Sequence, residues 1–385
     1  MLSTNNYDII IAGGGLSGLS LAWNLAKKGY KKKVLVVDST FAPGNKKTWC
    51  FWDSSSPPFA NIIYKSWRKT YFSAPEFDSF LYMNKYQYHC IRESDFKEHV
   101  LTELKKHSNF TLLEENVLDF SSNKNKAAMV TKSSETFLAD YIFQSIFEPK
   151  SKKKVKYPLI QHFYGLEIKT SVPVFDPGCF TIMDFDESFS DGTAFTYVLP
   201  FLNNRALVEY TVFSRKVFDT KKEYKEKVRS YLKERYNLEK DDYEIKRKEY
   251  GEIPMSDKVY PITYTDRIFN IGTSGGLTKA STGYTFLRIQ KFVDELSNNL
   301  LAGNSITSPE LSKARFKYYD LLLLHILDKQ STTSVRVFRD LFKNNSIDKV
   351  FDFLSEDTNF LEDIKIMSSV PPMPFIRAIS RNPKL

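Results

Sequence analysis

The sequence predicts an α/β protein: a parallel-sheet, dinucleotide-binding domain is interrupted by an antiparallel β-sheet domain and followed by a helical C-terminal region. Three observations predict it. Residues 7–38 read as a buried strand, a glycine turn, a helix and a second buried strand that ends in an acid. Residues 159–213 carry short strands separated by turn residues. Beyond about residue 309 the apolar residues recur at amphipathic helical spacing.

The first element runs Tyr7-Asp8-Ile9-Ile10-Ile11-Ala12, then Gly13-Gly14-Gly15-Leu16-Ser17-Gly18, then an apolar helix, then Val34-Leu35-Val36-Val37-Asp38. Gly13, Gly15 and Gly18 fit G-x-G-x-x-G. Gly13 permits the tight turn, Gly15 lets the backbone approach a pyrophosphate, and Gly18 lets the helix pack on the strand. The amides of Leu16 and Ser17 open the helix, where its dipole favours phosphate charge. Asp38 stands where a carboxylate accepts from ribose hydroxyls. This pattern specifies a Rossmann-like domain and a dinucleotide, and by itself does not separate FAD from NAD.

Residues 45–90 change character, with Thr48-Trp49-Cys50-Phe51-Trp52 the densest aromatic run, suited equally to core packing and to cavity lining. A strand through Tyr88-His89-Cys90-Ile91-Arg92 turns into a helix expected to be capped by Ser94 and to run to about His107. Arg92, just before that helix, is a candidate phosphate or ribityl ligand, the competing reading being a surface salt bridge. Residues 110–118 and 136–146 read as strands, and Val117 is placed by analogy with its backbone beside an adenine. Residues 159–213 are expected to form an antiparallel meander, 216–240 a charged surface helix, and 249–257 a strand ending in a turn at Asp257.

A second glycine cluster follows, from Ile268-Phe269-Asn270-Ile271-Gly272 through Gly275 and Gly276 to Thr282-Gly283-Tyr284 at the start of a helix. Two strand-glycine-helix elements far apart in sequence fit one extended cofactor held at both ends, as FAD is. Helices are expected over 309–327, 332–343 and 346–354. The tail, residues 370–379, mixes apolar and basic side chains and suits either a packed terminus or a lipid surface. The domains expected are 1–45, 88–158 and 259–305 for the cofactor, 46–87 and 159–258 for the substrate, and 306–385 for the helical region.

Composition narrows the function. Of 385 residues, 42% are hydrophobic and 15% aromatic, with 31 Phe and 22 Tyr, enough for a large aromatic core or a lined tunnel. The net charge of +9 gathers in runs at 31–33 and 150–156. No nucleic-acid motif accompanies them, so a solvated basic surface or an anionic membrane is expected rather than DNA or RNA. Three isolated cysteines and five dispersed histidines make no metal site and fit a reducing cytoplasm. The first apolar run belongs to the nucleotide motif rather than to a signal peptide, and the late run at 321–327, broken by His325, is far short of a membrane span.

These motifs together resemble the bacterial lycopene β-cyclase family over nearly the whole chain. The resemblance rests on the N-terminal glycines, Thr48-Trp49-Cys50-Phe51-Trp52, Gln161-His162-Phe163-Tyr164-Gly165, Met183-Asp184-Phe185, Leu207-Val208-Glu209-Tyr210-Thr211, Ile253-Pro254-Met255-Ser256-Asp257 and Gly275–Tyr284. It implies non-covalent FAD used in its reduced form, NAD(P)H as electron donor, and closure of the ends of lycopene to β-ionone rings by way of γ-carotene, with no net redox. It also implies a protein lying on the inner membrane from the cytoplasmic side. Glu209 falls in the place of the family's essential acid. Chemistry agrees, because protonating an alkene needs a desolvated acid of raised pKa. From pattern alone Glu209 is equally a carboxylate on the outer face of the sheet.

Two departures stand out. Tyr210 stands where many relatives carry a second acid, so a relay through adjacent acids is not expected. Gly272-Thr273 replaces a common Gly-Asp, so the backbone amides of Gly276, Thr282 and Gly283 are expected to carry more of the cofactor contact. Asp257 is the other candidate acid, with turn capping as its competing role. The rival functions are a flavin monooxygenase or polyprenyl reductase on the same scaffold, and a non-catalytic prenyl-binding protein.

Overall fold

A computed structural model describes residues 5–44, 47–54, 56–146, 154–304, 306, 312–329 and 331–382. Residues 150–153 of the lysine-rich segment, 309–311 at the expected start of the C-terminal helices, and the expected domain limits at 45, 46 and 305 lie outside the described residues. The strands are β1 (Asn5–Ala12), β2 (Val34–Asp38), β3 (Thr48–Asp53), β4 (Lys65–Trp67), β5 (Lys69–Ala74), β6 (Phe77–Tyr82), β7 (Gln87–Arg92), β8 (Phe110–Glu114), β9 (Val117–Ser122), β10 (Ala127–Thr131), β11 (Thr136–Gln144), β12 (Pro158–Thr170), β13 (Cys179–Phe185), β14 (Thr193–Leu202), β15 (Arg205–Ser214), β16 (Tyr243–Ser256), β17 (Thr263–Thr265) and β18 (Ile268–Asn270). The helices are α1 (Leu16–Lys27), α2 (Glu93–Leu104), α3 (Lys221–Tyr236), α4 (Phe286–Ala302), α5 (Ala314–Lys329), α6 (Ser331–Asn344), α7 (Ile347–Leu354), α8 (Phe360–Ser368) and α9 (Pro372–Arg381).

Strands β18, β11, β1, β2 and β8 lie side by side and parallel, the Rossmann-like core the glycine motif implied, with β17, β10 and β9 added antiparallel. Their apolar runs are continuous because both faces are covered: Ile9, Ile11, Val34 and Val36 pack with α1, α2 and α4, and Ile10, Leu35 and Val37 pack with Phe120 of β9 and Met129 of β10. Gly18 is what allows the approach of α1, since an added Cβ would lie 1.9 Å from the Gly13 carbonyl oxygen. Helix α2 begins at Glu93 with Arg92, not Ser94, at its N-cap. The Ser94 hydroxyl donates instead to the Asp95 carboxylate at 2.9 Å.

The inserted sheet has the order β16-β12-β15-β14-β13-β5-β6. Only β13, β14 and β15 follow one another as a meander. Strand β12 crosses to the far side of β15 and pairs with β16, and β5 joins β13 in parallel. A run of strand-turn signals does not encode that crossover, which is set by which faces must be covered. A small sheet, β3-β7-β4, joins strands from 48–67 to the strand that leads into α2. One face of the large sheet is covered by α3 through Tyr224, Val228 and Leu232. The other carries an aromatic core shared with α5, α6 and α7.

Two short helices, α8 and α9, extend the C-terminal region beyond the three the spacing indicated. Helix α7 is docked through Phe351, whose ring stacks on Trp52 at 4.2 Å and meets Tyr86 edge-on. Phe351→Ala is expected to lower unfolding free energy by about 3–5 kcal/mol, read as a fall in the denaturant midpoint. Phe360→Ala, at an exposed site of α8, should stay within about 0.5 kcal/mol of the parent.

Candidate active site

The site is built where the two halves meet. Gly272, with φ +64°, opens a short 3-10 turn, and an added Cβ would lie 2.5 Å from the Ser17 hydroxyl. The two glycine elements, some 250 residues apart, are therefore in direct contact. Helix α1 has no side-chain cap and no acid in its first turn, and nothing occupies the space beside Gly15. The first amides of a helix have no partner within it, so Leu16 and Ser17 present donors and a positive dipole end to the open side of Gly15. That donor set suits a dinucleotide pyrophosphate. Asp38 accepts from the Gly14 amide and, at 3.0 Å, from the Thr40 amide, which orients its carboxylate at the same end of the sheet.

From this cradle opens a cavity of about 720 Å³. Gly15, Leu16, Ser17, Gly272, Thr282 and Gly283 line it on the nucleotide side, and the inserted sheet supplies its floor. Two polar atoms in its wall, Gln161 Oε1 and Thr282 Oγ1, are buried with no protein partner, as expected of groups that meet a ligand. Most of the remaining lining is aromatic and aliphatic, including Tyr88, Phe195, Tyr197 and Tyr284.

Strand alternation decides which acids face this cavity. On β15, Leu207, Glu209, Thr211 and Phe213 point into it, whereas Val208, Tyr210 and Val212 point to α3. Glu209 is thus interior, 8% exposed, and not on an outer face. Tyr210 donates to Asp186 at 2.7 Å on the opposite side. Asp257 accepts from the backbone amides of Lys156 and Tyr157 at 3.0 and 2.8 Å, so its carboxylate ties the end of β16 to the residues that enter β12 and does not line the cavity.

Glu93, Glu252 and Asp320 also line the cavity, but the acid set level with Glu209 is Glu249, which in sequence reads only as part of a strand. Strand β12 lies between β15 and β16, and its Gly165 is opposite Glu209 on one side and Glu249 on the other. The two backbones are about 10 Å apart across two strand spacings. Glu209 leans over the glycine: Oε2 lies 3.4 Å from where a Gly165 Cβ would sit. The signal available was the alternation Arg247, Glu249, Gly251 and Ile253 on one face of β16, together with a glycine opposite.

The environments of the two carboxyls differ. Glu249 accepts from Arg247 at 2.8 Å and from the amide and hydroxyl of Thr48 at 2.6 and 2.9 Å. Among the described residues, Glu209 accepts from the Thr211 hydroxyl alone, at 3.1 Å. Burial drives both upward in pKa. For Glu249 the charge of Arg247 and the Thr48 donors oppose the rise. For Glu209 burial acts most strongly and the charge of Glu249 adds to it, holding its carboxyl protonated well above the usual carboxylate range.

Five expected cofactor ligands are placed differently. Arg92 turns away from the cavity: its guanidinium donates to Glu167 at 2.9 Å and lies 3.5 Å over the Tyr64 ring, a buried ion pair rather than a free phosphate ligand. The amides of Gly276, Thr282 and Gly283 donate to Thr273 and Lys279 carbonyls, so they are consumed by their own turns. Val117 opens β9 near the strand end of Asp38 and does not line the cavity. Sequence position alone does not reveal that such donors are already taken.

The fold is shared with flavin enzymes. A geranylgeranyl bacteriochlorophyll reductase-like protein from Thermoplasma acidophilum matches with a TM-score of 0.63 at 15% identity, covering 98% of this chain and 100% of its own. A flavin-dependent brominase matches at 0.61 and 14%, covering 98% and 99%. A flavoprotein/dehydrogenase from Cytophaga hutchinsonii matches at 0.61 and 12%, covering 95% and 99%. No curated protein matches in sequence. The family model for lycopene cyclase protein matches residues 8–380, and the chain belongs to that family.

The raised pKa of Glu209 makes stability pH-dependent with a definite sign. The folded state holds a proton that the unfolded chain releases around the ordinary glutamate value of 4.5. The stabilisation is therefore complete below that pH and declines as pH rises toward the folded pKa. Relative to Glu209→Gln, the wild type should lose unfolding free energy progressively on going from pH 4.5 to 8, as measured by denaturant titrations of both proteins. Parallel curves would contradict the assignment.

Proposed function

We propose that this chain is an FAD-dependent lycopene β-cyclase, with NAD(P)H keeping the flavin reduced. It converts lycopene to γ-carotene and then β-carotene, with Glu209 as general acid. The observation that carries the reading is a carboxyl held protonated in an apolar, aromatic cavity that adjoins the cradle at α1. Membership of the lycopene cyclase family supports it, and FAD fits the flavoprotein fold.

The cofactor would be held by Gly13, Gly15, Leu16, Ser17, Gly18 and Gly272 around its pyrophosphate, with Asp38 on the adenosine side. When bound, a reduced flavin supplies a negatively charged ring beside which a carbocation is stabilised. The chain's own residues do the rest. Glu209 transfers its proton to the terminal alkene and leaves a tertiary cation. The neighbouring double bond attacks that cation and closes the ring, and loss of a proton from the second cation restores the acid. Atoms and electrons balance without net oxidation. The aromatic side chains of Tyr88, Phe195, Tyr197 and Tyr284 line the cavity and supply π-electron density suited to a migrating positive charge, and the apolar lining keeps out water that would quench it. Glu249, fixed by Arg247 and Thr48, is a positioning residue: its carboxylate charge raises the proton affinity of Glu209.

The test is expression in a lycopene-accumulating bacterial host with separation of the pigments. Conversion to a ring-closed carotene is expected. Glu209→Gln should keep its flavin absorbance while kcat falls by about 10²–10⁴. Glu249→Gln should lower kcat less and move the alkaline limb of the rate profile to lower pH, because removing a negative neighbour lowers the pKa of Glu209. Unchanged lycopene with flavin-loaded protein, or NAD(P)H consumed in proportion to product, would move the assignment to a reductase or monooxygenase.

A further inference from the structure

Fifteen large apolar or aromatic side chains stand exposed among the described residues, and six of them fall within the last two helices: Phe360, Leu361 and Ile364 on α8, and Met373, Ile376 and Ile379 on α9. Scattered exposed apolar side chains are ordinary on a soluble surface, whereas a concentrated group marks a partner. These helices are not loose ends. Asp363 of α8 is fully buried and receives the Arg315 guanidinium at 2.8 Å. On α9, Ala378 is fully buried, and Asn382, just beyond the helix, accepts from Tyr157 at 3.0 Å. The fold therefore holds both helices from within and leaves their outer faces apolar by construction.

The partner can be read from three observations. The exposed charges on these helices are mostly basic: Lys365, Arg377 and Arg381, with Glu362 committed to the capping box of α8 through the Asn359 amide. An apolar face flanked by cations matches an anionic bilayer interface. At nine and ten residues the helices are suited to lie in that interface, and no helix among the described residues is long and apolar enough to cross a membrane. Finally, the inner residues Ile366, Met367, Val370 and Phe375, on and between α8 and α9, line the cavity that contains Glu209. The elements that carry the apolar exterior thus also wall the apolar interior.

We propose that α8 and α9 form the face on which this protein rests on an anionic lipid bilayer, and that hydrocarbon passes from the bilayer between them into the cavity; only the identity of that hydrocarbon rests on the function proposed above. The face is tested by co-sedimentation with vesicles of phosphatidylethanolamine and phosphatidylglycerol. The wild type should pellet in low salt and release in high salt. Leu361→Asp combined with Ile376→Asp should weaken binding at least about tenfold, and Arg377→Glu severalfold, with unchanged thermal midpoints. Wild-type binding by the double variant, or equal binding to phosphatidylcholine vesicles regardless of salt, overturns the proposal. So does a stable dimer that the same substitutions dissociate without any vesicle binding, which assigns the face to a second copy.

Passage is tested with lycopene supplied in two ways. The double variant should turn over vesicle-dissolved lycopene at least about tenfold more slowly than the wild type and detergent-dispersed lycopene at the wild-type rate. Equal rates on vesicles overturn the passage. If the wild type cyclises neither form, the cyclase assignment fails, and sedimentation alone still decides the face.

Discussion

The contact of Arg247 with Glu167 and Glu249 is the joint on which the site depends. Its three guanidinium nitrogens are all engaged: Nε with Glu167 at 2.9 Å, Nη1 with Glu249 at 2.8 Å and Nη2 with the Thr48 hydroxyl at 2.7 Å. Glu167, with no exposed surface, also receives Arg92 and Arg205. One buried cluster thus ties β16 and β12 of the large sheet to β3 and β7 of the small one. Its net worth to stability is modest, since desolvation offsets most of the attraction, but removal of one partner leaves an uncompensated buried charge. The consequence for function is sharper. Arg247 and the Thr48 donors oppose the rise that burial imposes on Glu249, whereas Glu209 has the weaker donors and the Glu249 charge beside it, so its carboxyl is the one pushed furthest toward the protonated form.

Sheet geometry makes that arrangement possible without adjacent acids in sequence. Neighbours along a strand face opposite ways, so a residue beside Glu209 in sequence cannot share its cavity, and Tyr210 instead serves the packing against α3. A carboxylate two strands away at the same level can share it, provided the intervening residue has no side chain. Gly165 meets that condition. The pair is an across-sheet version of the rule that two like charges in one site push one pKa upward.

The chain's grammar was readable where a residue's role is local. The glycine turn, the acid ending β2 and the apolar strand runs each follow from backbone constraints within about thirty residues, so the parallel core was legible, as was the contact implied by two glycine elements. Glu209 was legible as an acid in an apolar run, though not which face it occupied. Glu249 was not, because its partners Thr48, Arg247 and Gly165 come from three strands whose order depends on the β12 crossover. Arg92 and the amides of Gly276, Thr282 and Gly283 were misread for a related reason. A donor's availability depends on what else is near it, and Glu167 and the turn carbonyls are near only once the chain has folded.

The helical region shows how one sequence can serve two apolar environments. Phe351 and Leu324 of α7 and α5 complete the aromatic core against the sheet, and that burial suffices to anchor the region. Helices α8 and α9 add little to it, which frees their outer faces from the demand of covering a core. In water such faces are a liability that selection ordinarily removes, because exposed apolar clusters invite association. Their persistence on helices pinned by Asp363 and Ala378 is explained if the outer surroundings are themselves apolar. The wall between bilayer and cavity then has hydrocarbon on both sides, and a hydrocarbon substrate meets no aqueous barrier on its way to the protonated acid.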